Sequence, residues 1–192
     1  MPATMSLEIA AAAARLVVED GMEYGPAKRR AARQLGARDA DLPDNQLLED
    51  EVRAYLELYC ADTQPRELAA LRAVALDWMD RLAAFRPHLT GAVWRGTATR
   101  HSDVHLELYC DDPKAAELAL IDRHVNYEVT SANGPRGSSV DQLVVRTRHP
   151  LLDEPVRVRL TILDYDDLRG ALRGHARGPQ RGDLPAVRAL GA

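Results

Sequence analysis

Asp103, His105, Glu107 and Tyr109 stand at every second position of the run Asp103–Cys110. On an extended strand this spacing puts all four on one face and Val104, Leu106, Leu108 and Cys110 on the other. One face then packs a core, while the other lines up a carboxylate, an imidazole, a second carboxylate and a phenol. An ordinary half-buried strand more often shows Thr, Lys or Ser on its outer face. For His105 three readings stand: a hydrogen-bonded surface histidine, a ligand for a softer ion such as Mn²⁺ or Zn²⁺, or an acid–base group. The expectation is a pocket residue that holds no metal.

These residues need elements to position them. Residues 1–87 carry a helical period. Ser6 suits the cap of a helix through Val18, and Gly21 ends it. A second helix, Ala27–Leu35, stops at Gly36. Asp44 or Asn45 caps a third, in which Leu48, Val52, Leu56 and Tyr59 recur at steps of four and three. A fourth starts near Thr63 and Pro65 and buries Leu68, Leu71, Ala75, Trp78, Leu82 and Phe85 before Pro87 closes it. Short connections make this a small four-helix bundle.

From residue 88 the period becomes alternating. Leu89–Trp94 and Val104–Cys110 read as strands, Lys114–Arg123 as a helix, and Val125–Val129, Gln142–Arg148 and Val156–Leu163 as three more strands. Asn133–Gly137 reads as a mobile loop by composition. Asp166 suits the cap of a short helix, Asp167–Leu172. The order β-β-α-β-β-β predicts an α+β protein: a helical segment at 1–87, a mixed sheet with a flanking helix at 88–172, and a tail at 173–192. The tail from Gly174 to Gly182 is basic and expected to be flexible, with Pro185–Leu190 adding one helical turn. The pentapeptide LELYC occurs at 56–60 and 106–110, first in a helical period and then in a strand period. It is therefore coincidence and not a duplication.

Composition narrows the function classes. With 46% hydrophobic and 28% charged residues the chain is that of a globular protein. A formal charge of −4 argues against a general nucleic-acid coat. Two cysteines, Cys60 and Cys110, make neither a disulfide framework nor a zinc site, so a reducing cytoplasm is expected. No export signal or membrane span is read. Lys28, Arg29, Arg30 and Arg33 make the second helix basic. No aromatics interleave that run as stacking platforms would, which favours a solvated face over an RNA contact.

The stretch LTGAVWRGTATRHSDVHLELYC, Leu89–Cys110, resembles the minimal nucleotidyltransferase fold of the DNA polymerase β superfamily in its small bacterial form. Gly91-Ala92 holds the place of that family's Gly-Ser or Gly-Gly pair. Val93–Ser102 makes the ten-residue spacing, and Asp103-Val104-His105-Leu106 holds the place of the family's paired carboxylates. The resemblance covers residues 86–168. It implies transfer of a nucleoside monophosphate from a nucleoside triphosphate to a hydroxyl acceptor. Gly91, Ala92, Arg95, Gly96, Thr97 and Arg100 would lie under the phosphates, and Asp103 and Glu107 would hold Mg²⁺ or Mn²⁺ with His105 beside them. The chain departs from the pattern in three places. Ala92 lacks the hydroxyl, His105 replaces the second carboxylate, and the strand expected to bring a third carries Arg157 and Arg159 on its polar side. Paired with Asp103, those arginines would put an ion pair where the family holds a metal. Two readings follow: an active nucleotidyltransferase, or a non-catalytic protein of that fold which binds a nucleotide or a protein partner.

Overall fold

The computed structural model describes residues 2–37, 42–135, 137–172 and 179–191. It is a mixed α+β protein, and it divides into two compact units. One comprises residues 1–66 with 97–102, the other residues 67–96 with 103–192.

The first unit is built on α1 (Pro2–Asp20), α2 (Tyr24–Gln34) and α3 (Asn45–Tyr59). Its core joins Ile9, Ala13, Ala14 and Val18 of α1, Ala27, Ala31 and Ala32 of α2, and Leu48, Val52 and Leu56 of α3. Alanines at these steps let helix backbones approach closely, and the larger Leu48, Val52 and Leu56 fill what remains. Asp44 is the cap of α3, accepting the Leu47 amide at 2.7 Å. The basic helix is tied down at Lys28, which donates to Pro43 O and Asn45 Oδ1. Arg30 reaches Asp20. The segment 97–102 is held in this unit by Gln64, whose side-chain amide donates to Ala98 O at 2.9 Å.

The four helices expected before the sheet are present, and three of them pack together in this unit. The fourth, α4 (Gln64–Arg81), belongs from Glu67 onward to the second unit. There it buries Leu71, Val74, Ala75, Trp78 and Met79, and Trp78 Nε1 donates to Thr147 Oγ1 at 2.8 Å. A 3₁₀ turn, Ala83–Phe85, leads into the sheet.

The sheet has five strands in the order β1-β2-β5-β4-β3. These are β1 (His88–Thr90), β2 (Val104–Cys110), β3 (Tyr127–Asn133), β4 (Ser139–Thr147) and β5 (Val156–Asp164). Only β2 and β5 run parallel, with Val104 opposite Val158 and Glu107 opposite Thr161. The alternation in β2 and β5 decides the two faces. Leu106, Leu108, Leu143, Val158 and Leu160 are buried on the side covered by α4 and by α6 (Ala115–Asp122). Each such leucine contributes roughly 1.5–3 kcal/mol by leaving water.

Several boundaries differ from expectation: α1 begins at Pro2, ahead of the expected cap Ser6, and α2 begins at Tyr24, ahead of Ala27. The strand foreseen at Leu89–Trp94 ends at Thr90, because Gly91 has φ +73° and opens a helical turn, α5 (Gly91–Arg95). Gly96, at φ +82°, closes that turn in the left-handed region that glycine alone enters freely. The third strand extends to Asn133, since pairing with β4 outweighs the weak strand preference of Ser131 and Asn133. Around the foreseen mobile loop, the Gly134 amide donates to Ser138 O and the Gly137 amide to Gly134 O. Arg136 lies outside the described residues.

After α7 (Asp167–Ala171), residues 173–178 of the expected flexible tail lie outside the described residues. Residues 179–182 are held by hydrogen bonds, contrary to expectation, whereas the helical turn expected at Pro185–Leu190 is present. Gly182 exchanges two backbone hydrogen bonds with Leu89, at 2.8 and 3.0 Å, and so covers the outer edge of β1. Trp94 Nε1 donates to Pro179 O at 2.9 Å. The last helix, α8 (Leu184–Ala189), is capped by Asp183 and tied to Asp80 through Arg188 at 2.7 Å.

Candidate functional site

The face of the sheet opposite α4 and α6 carries a polar network that crosses three strands and ends at Asp103, just before β2. Thr130 of β3 donates to Gln142 O, Gln142 Nε2 of β4 donates to Thr161 Oγ1 of β5 at 3.0 Å, and Arg159 donates to Gln142 Oε1 at 3.1 Å. Arg159 also donates from Nε to Asp103 at 2.5 Å, and Arg157 takes the other Asp103 oxygen at 2.8 Å. The Asp103 side chain is 11% exposed, so both of its oxygens meet guanidinium in a largely dry setting. The ion pair anticipated from the sequence is present.

Two residues further along β2 than His105, a second cluster forms. The Tyr109 hydroxyl donates to Glu107 Oε2 at 2.6 Å, and Arg181 Nη1 donates both to that carboxylate and to the Tyr109 oxygen, the latter at 2.9 Å. Burial pushes the Tyr109 phenol well above its ordinary range, and the hydrogen bond to Glu107 adds to this. It therefore remains a donor throughout the physiological range. His88 meets the Tyr109 ring edge-on at 5.4 Å and fixes its plane. A cavity of about 530 Å³ opens beside the cluster, lined by Glu107, Asn133, Thr161, Asp166, Asp167 and Arg181 among others.

The residues singled out from the sequence are placed as follows. Asp103, His105 and Glu107 share the polar face, as their spacing required. Gly91 and Ala92 open α5 and Arg95 ends it, and a Cβ at Gly91 would stand 3.5 Å from the His105 ring. Thr97 and Arg100 fall in the segment that belongs to the helical unit, where Thr97 is buried and the Thr99 amide donates to Ser102 Oγ. Glu107 is paired with Arg181 and Tyr109. Asp164 accepts the Asp166 amide at 2.8 Å and serves the turn into α7.

Arg181, Gln142 and Thr161 complete the network and were not singled out. Thr161 and Arg159 share a face by strict alternation, which is a readable signal. Arg181 lies 74 residues from Glu107 in sequence, and no local pattern announces it. Among the described residues, no group of three or more His, Cys, Asp or Glu side chains is arranged to hold a metal ion. No described helix is long and apolar enough to cross a membrane. Compared with protein-family models and with curated protein sequences, the chain matches none.

Proposed function

We propose that this is a non-catalytic protein of nucleotidyltransferase-like fold that binds a nucleotide on the polar face of its sheet without a divalent cation. The observation that carries the reading is the Asp103 carboxylate, held between Arg157 and Arg159. The donor set does not suit Mg²⁺ or Mn²⁺. Each carboxylate is already neutralised by guanidinium, His105 brings no negative charge, and a hard divalent ion beside three arginines would be repelled. The transferase alternative needs that ion on Asp103 and Glu107.

Nucleotide binding draws support from the same residues. Arg157 and Arg159 against Asp103 leave a net positive end to the face, suited to phosphate oxygens. The neighbouring cavity, at about 530 Å³, is within the range that takes small ligands. A nucleotide spanning both would run along β2 from the level of Asp103 to that of Glu107, four residues or roughly 13 Å.

Calorimetric titration with ATP, GTP, CTP and UTP, in EDTA and again in Mg²⁺ or Mn²⁺, tests this. Binding should be equal with and without metal, and Asp103→Ala should keep or tighten it by unmasking the arginines. Metal-dependent binding abolished by Asp103→Ala would instead establish the transferase reading. No binding by any nucleotide would leave a protein partner as the ligand of the fold.

A further inference from the structure

The two edges of the sheet end differently. At β1, Gly182 pairs with Leu89 and closes the edge. At the other end β3 pairs only with β4, in a register that runs from Tyr127 opposite Val145 to Asn133 opposite Ser139. The Gly134 amide continues that register onto Ser138 O, which sets the phase of the ladder. Antiparallel partners exchange bonds at every second residue, so Glu128, Thr130 and Ala132 bond to β4. Tyr127, Val129, Ser131 and Asn133 therefore turn their N–H and C=O groups outward. Among the described residues no backbone hydrogen bond meets that side.

A bare edge usually carries a guard: a lysine, a proline, a bulge or a covering segment. The sequence of β3, YEVTSAN, has no lysine or proline, and its register skips no residue. Its one charge, Glu128, is matched by Arg146 of β4 at 3.3 Å. Thr130 joins the polar face of the sheet, so Tyr127 and Val129 point to the α6 side. Val129, at the middle of the edge, is 60% exposed. The helix continues this apolar surface. The Tyr127 hydroxyl donates to Glu117, and Ile121 follows Glu117 by one helical turn, so Ile121 stands on the β3 side of α6. Ile121 and Leu118 are both exposed. An apolar flank beside a row of unpaired backbone groups asks for another strand.

We propose that β3 pairs with β3 of a second copy of this chain, antiparallel and about a two-fold axis at Thr130. Each copy offers one open edge while its opposite edge is closed, so the pairing stops at two chains and does not run on as a fibre. In the register centred on Thr130, Val129 lies opposite Ser131 of the second copy, and Tyr127 opposite Asn133. Every outward residue of both strands is then used, in about eight hydrogen bonds. On the polar face Glu128 meets Ala132 and Thr130 meets its own counterpart, a favourable cross-strand pair, and no like charges stand opposed. On the α6 side the two Val129 side chains become diagonal neighbours, and Ile121 of each copy approaches the same seam. This match of the strand to itself commits the edge to a second copy rather than to an unrelated peptide.

Analytical ultracentrifugation and amide hydrogen exchange of the whole chain, each over a range of concentrations, test this. Wild type should sediment at twice the chain mass, and residues 127–133 should exchange more slowly as concentration rises. Ser131→Pro removes an outward N–H that β4 does not use, so the edge tolerates it while pairing is blocked. Val129→Lys puts a charge on the same edge. Both should sediment at the mass of one chain with unchanged far-ultraviolet circular dichroism. Should Ser131→Pro unfold, Val129→Lys and the wild-type exchange decide. In a Cys60→Ser background, Thr130→Cys should form a disulfide between copies on mild oxidation, since such directly opposed residues stand about 4.5 Å apart at Cα. Ser131→Cys, opposite Val129, should not. Wild type that keeps the mass of one chain at every concentration overturns the proposal and leaves the edge to a peptide strand. A dimer that persists in both variants overturns it too, because another surface then joins the copies. Cross-linking through Ser131→Cys in place of Thr130→Cys overturns the register centred on Thr130.

Discussion

Arg159 donates to Asp103 at 2.5 Å from the neighbouring strand, although Asp103 precedes β2 and stands 56 residues away in sequence. The parallel register of β2 and β5 creates this meeting, because Val104 lies opposite Val158 and the residues flanking that pair share a face. In a double-mutant cycle with Asp103→Asn and Arg159→Met, followed by urea unfolding, the coupling should be about 1 kcal/mol. Arg157, 47% exposed, should couple with Asp103 by only a few tenths. Equal coupling for both arginines would mean that burial does not set the strength of the pair.

Gly182 stands so close to Trp94 that a Cβ there would overlap the indole ring. Gly182→Ala should therefore displace the strap and cost about 2 kcal/mol, with a change in Trp94 emission. Gly170→Ala is the control, since nothing lies within 4 Å of its added carbon. It sits in α7 and should be neutral or stabilising by about 0.5–1 kcal/mol.

At Gly91 the demand is conformational rather than steric. Its φ is +73°, yet an added Cβ would meet His105 only at ordinary contact distance, 3.5 Å. Gly91→Ala should cost about 1–2 kcal/mol, and Gly91→Asn less, since Asn tolerates the left-handed region better. Thermal unfolding of the two variants side by side separates strain from clash. Equal losses would refute the conformational account.

In the helical unit, Tyr55 donates to Glu19 at 2.6 Å, and Arg15 donates to the same carboxylate at 2.8 Å. The Tyr55 phenol is pushed up to about 12, first by its hydrogen bond to Glu19 and then by burial. Glu19 is lowered, first by Tyr55 and then by Arg15. The signs follow. The tyrosine's contribution to stability is complete below about pH 10 and disappears as pH rises through about 12. The carboxylate's contribution is present above its ordinary range and disappears as pH falls through its depressed value. Ultraviolet titration should show the Tyr55 phenol, like that of Tyr109, ionising late, and Glu19→Gln should bring Tyr55 alone back toward the ordinary tyrosine range. A titration unmoved by Glu19→Gln would contradict the assignment.

Cys110 is buried on the core face of β2, and burial pushes its thiol up to about 11. At pH 8 a thiol reagent should label Cys60, which is partly exposed, and reach Cys110 only at the rate of unfolding. Rapid labelling of both would show that the sheet opens more easily than its packing implies.

How far the sequence carries is best seen in LELYC. At 56–60 it ends α3, with Leu56 buried and Leu58 and Tyr59 turned outward; at 106–110 it is strand, with Leu106, Leu108 and Tyr109 all buried. The five residues are neutral between helix and strand, and the period of their neighbours decides. That same period made the α+β class and the polar face of β2 legible. Arg157 and Arg159 were legible as partners of Asp103 because strands fix which residues share a face. Arg181 and Gly182 were not, since their partners Glu107, Leu89 and Trp94 are brought to them only by tertiary packing. Gly91 and Gly96 did mark the ends of α5, but its five residues are too few to show a helical period.

The position of β5 bears on how this chain is made. Among the described strands it is the last to be synthesised and the middle one in the sheet, lying between β2 and β4. Until residues 156–164 have left the ribosome, the hydrogen-bonding edges of β2 and β4 that will receive them stay bare, and so does the apolar side of Val104, Leu106 and Leu143. Closing the sheet then requires a parallel pairing across 54 residues, a slow, non-local step. The nascent chain therefore passes through an interval in which it needs protection from other chains, and a pause in translation before β5 would lengthen that interval.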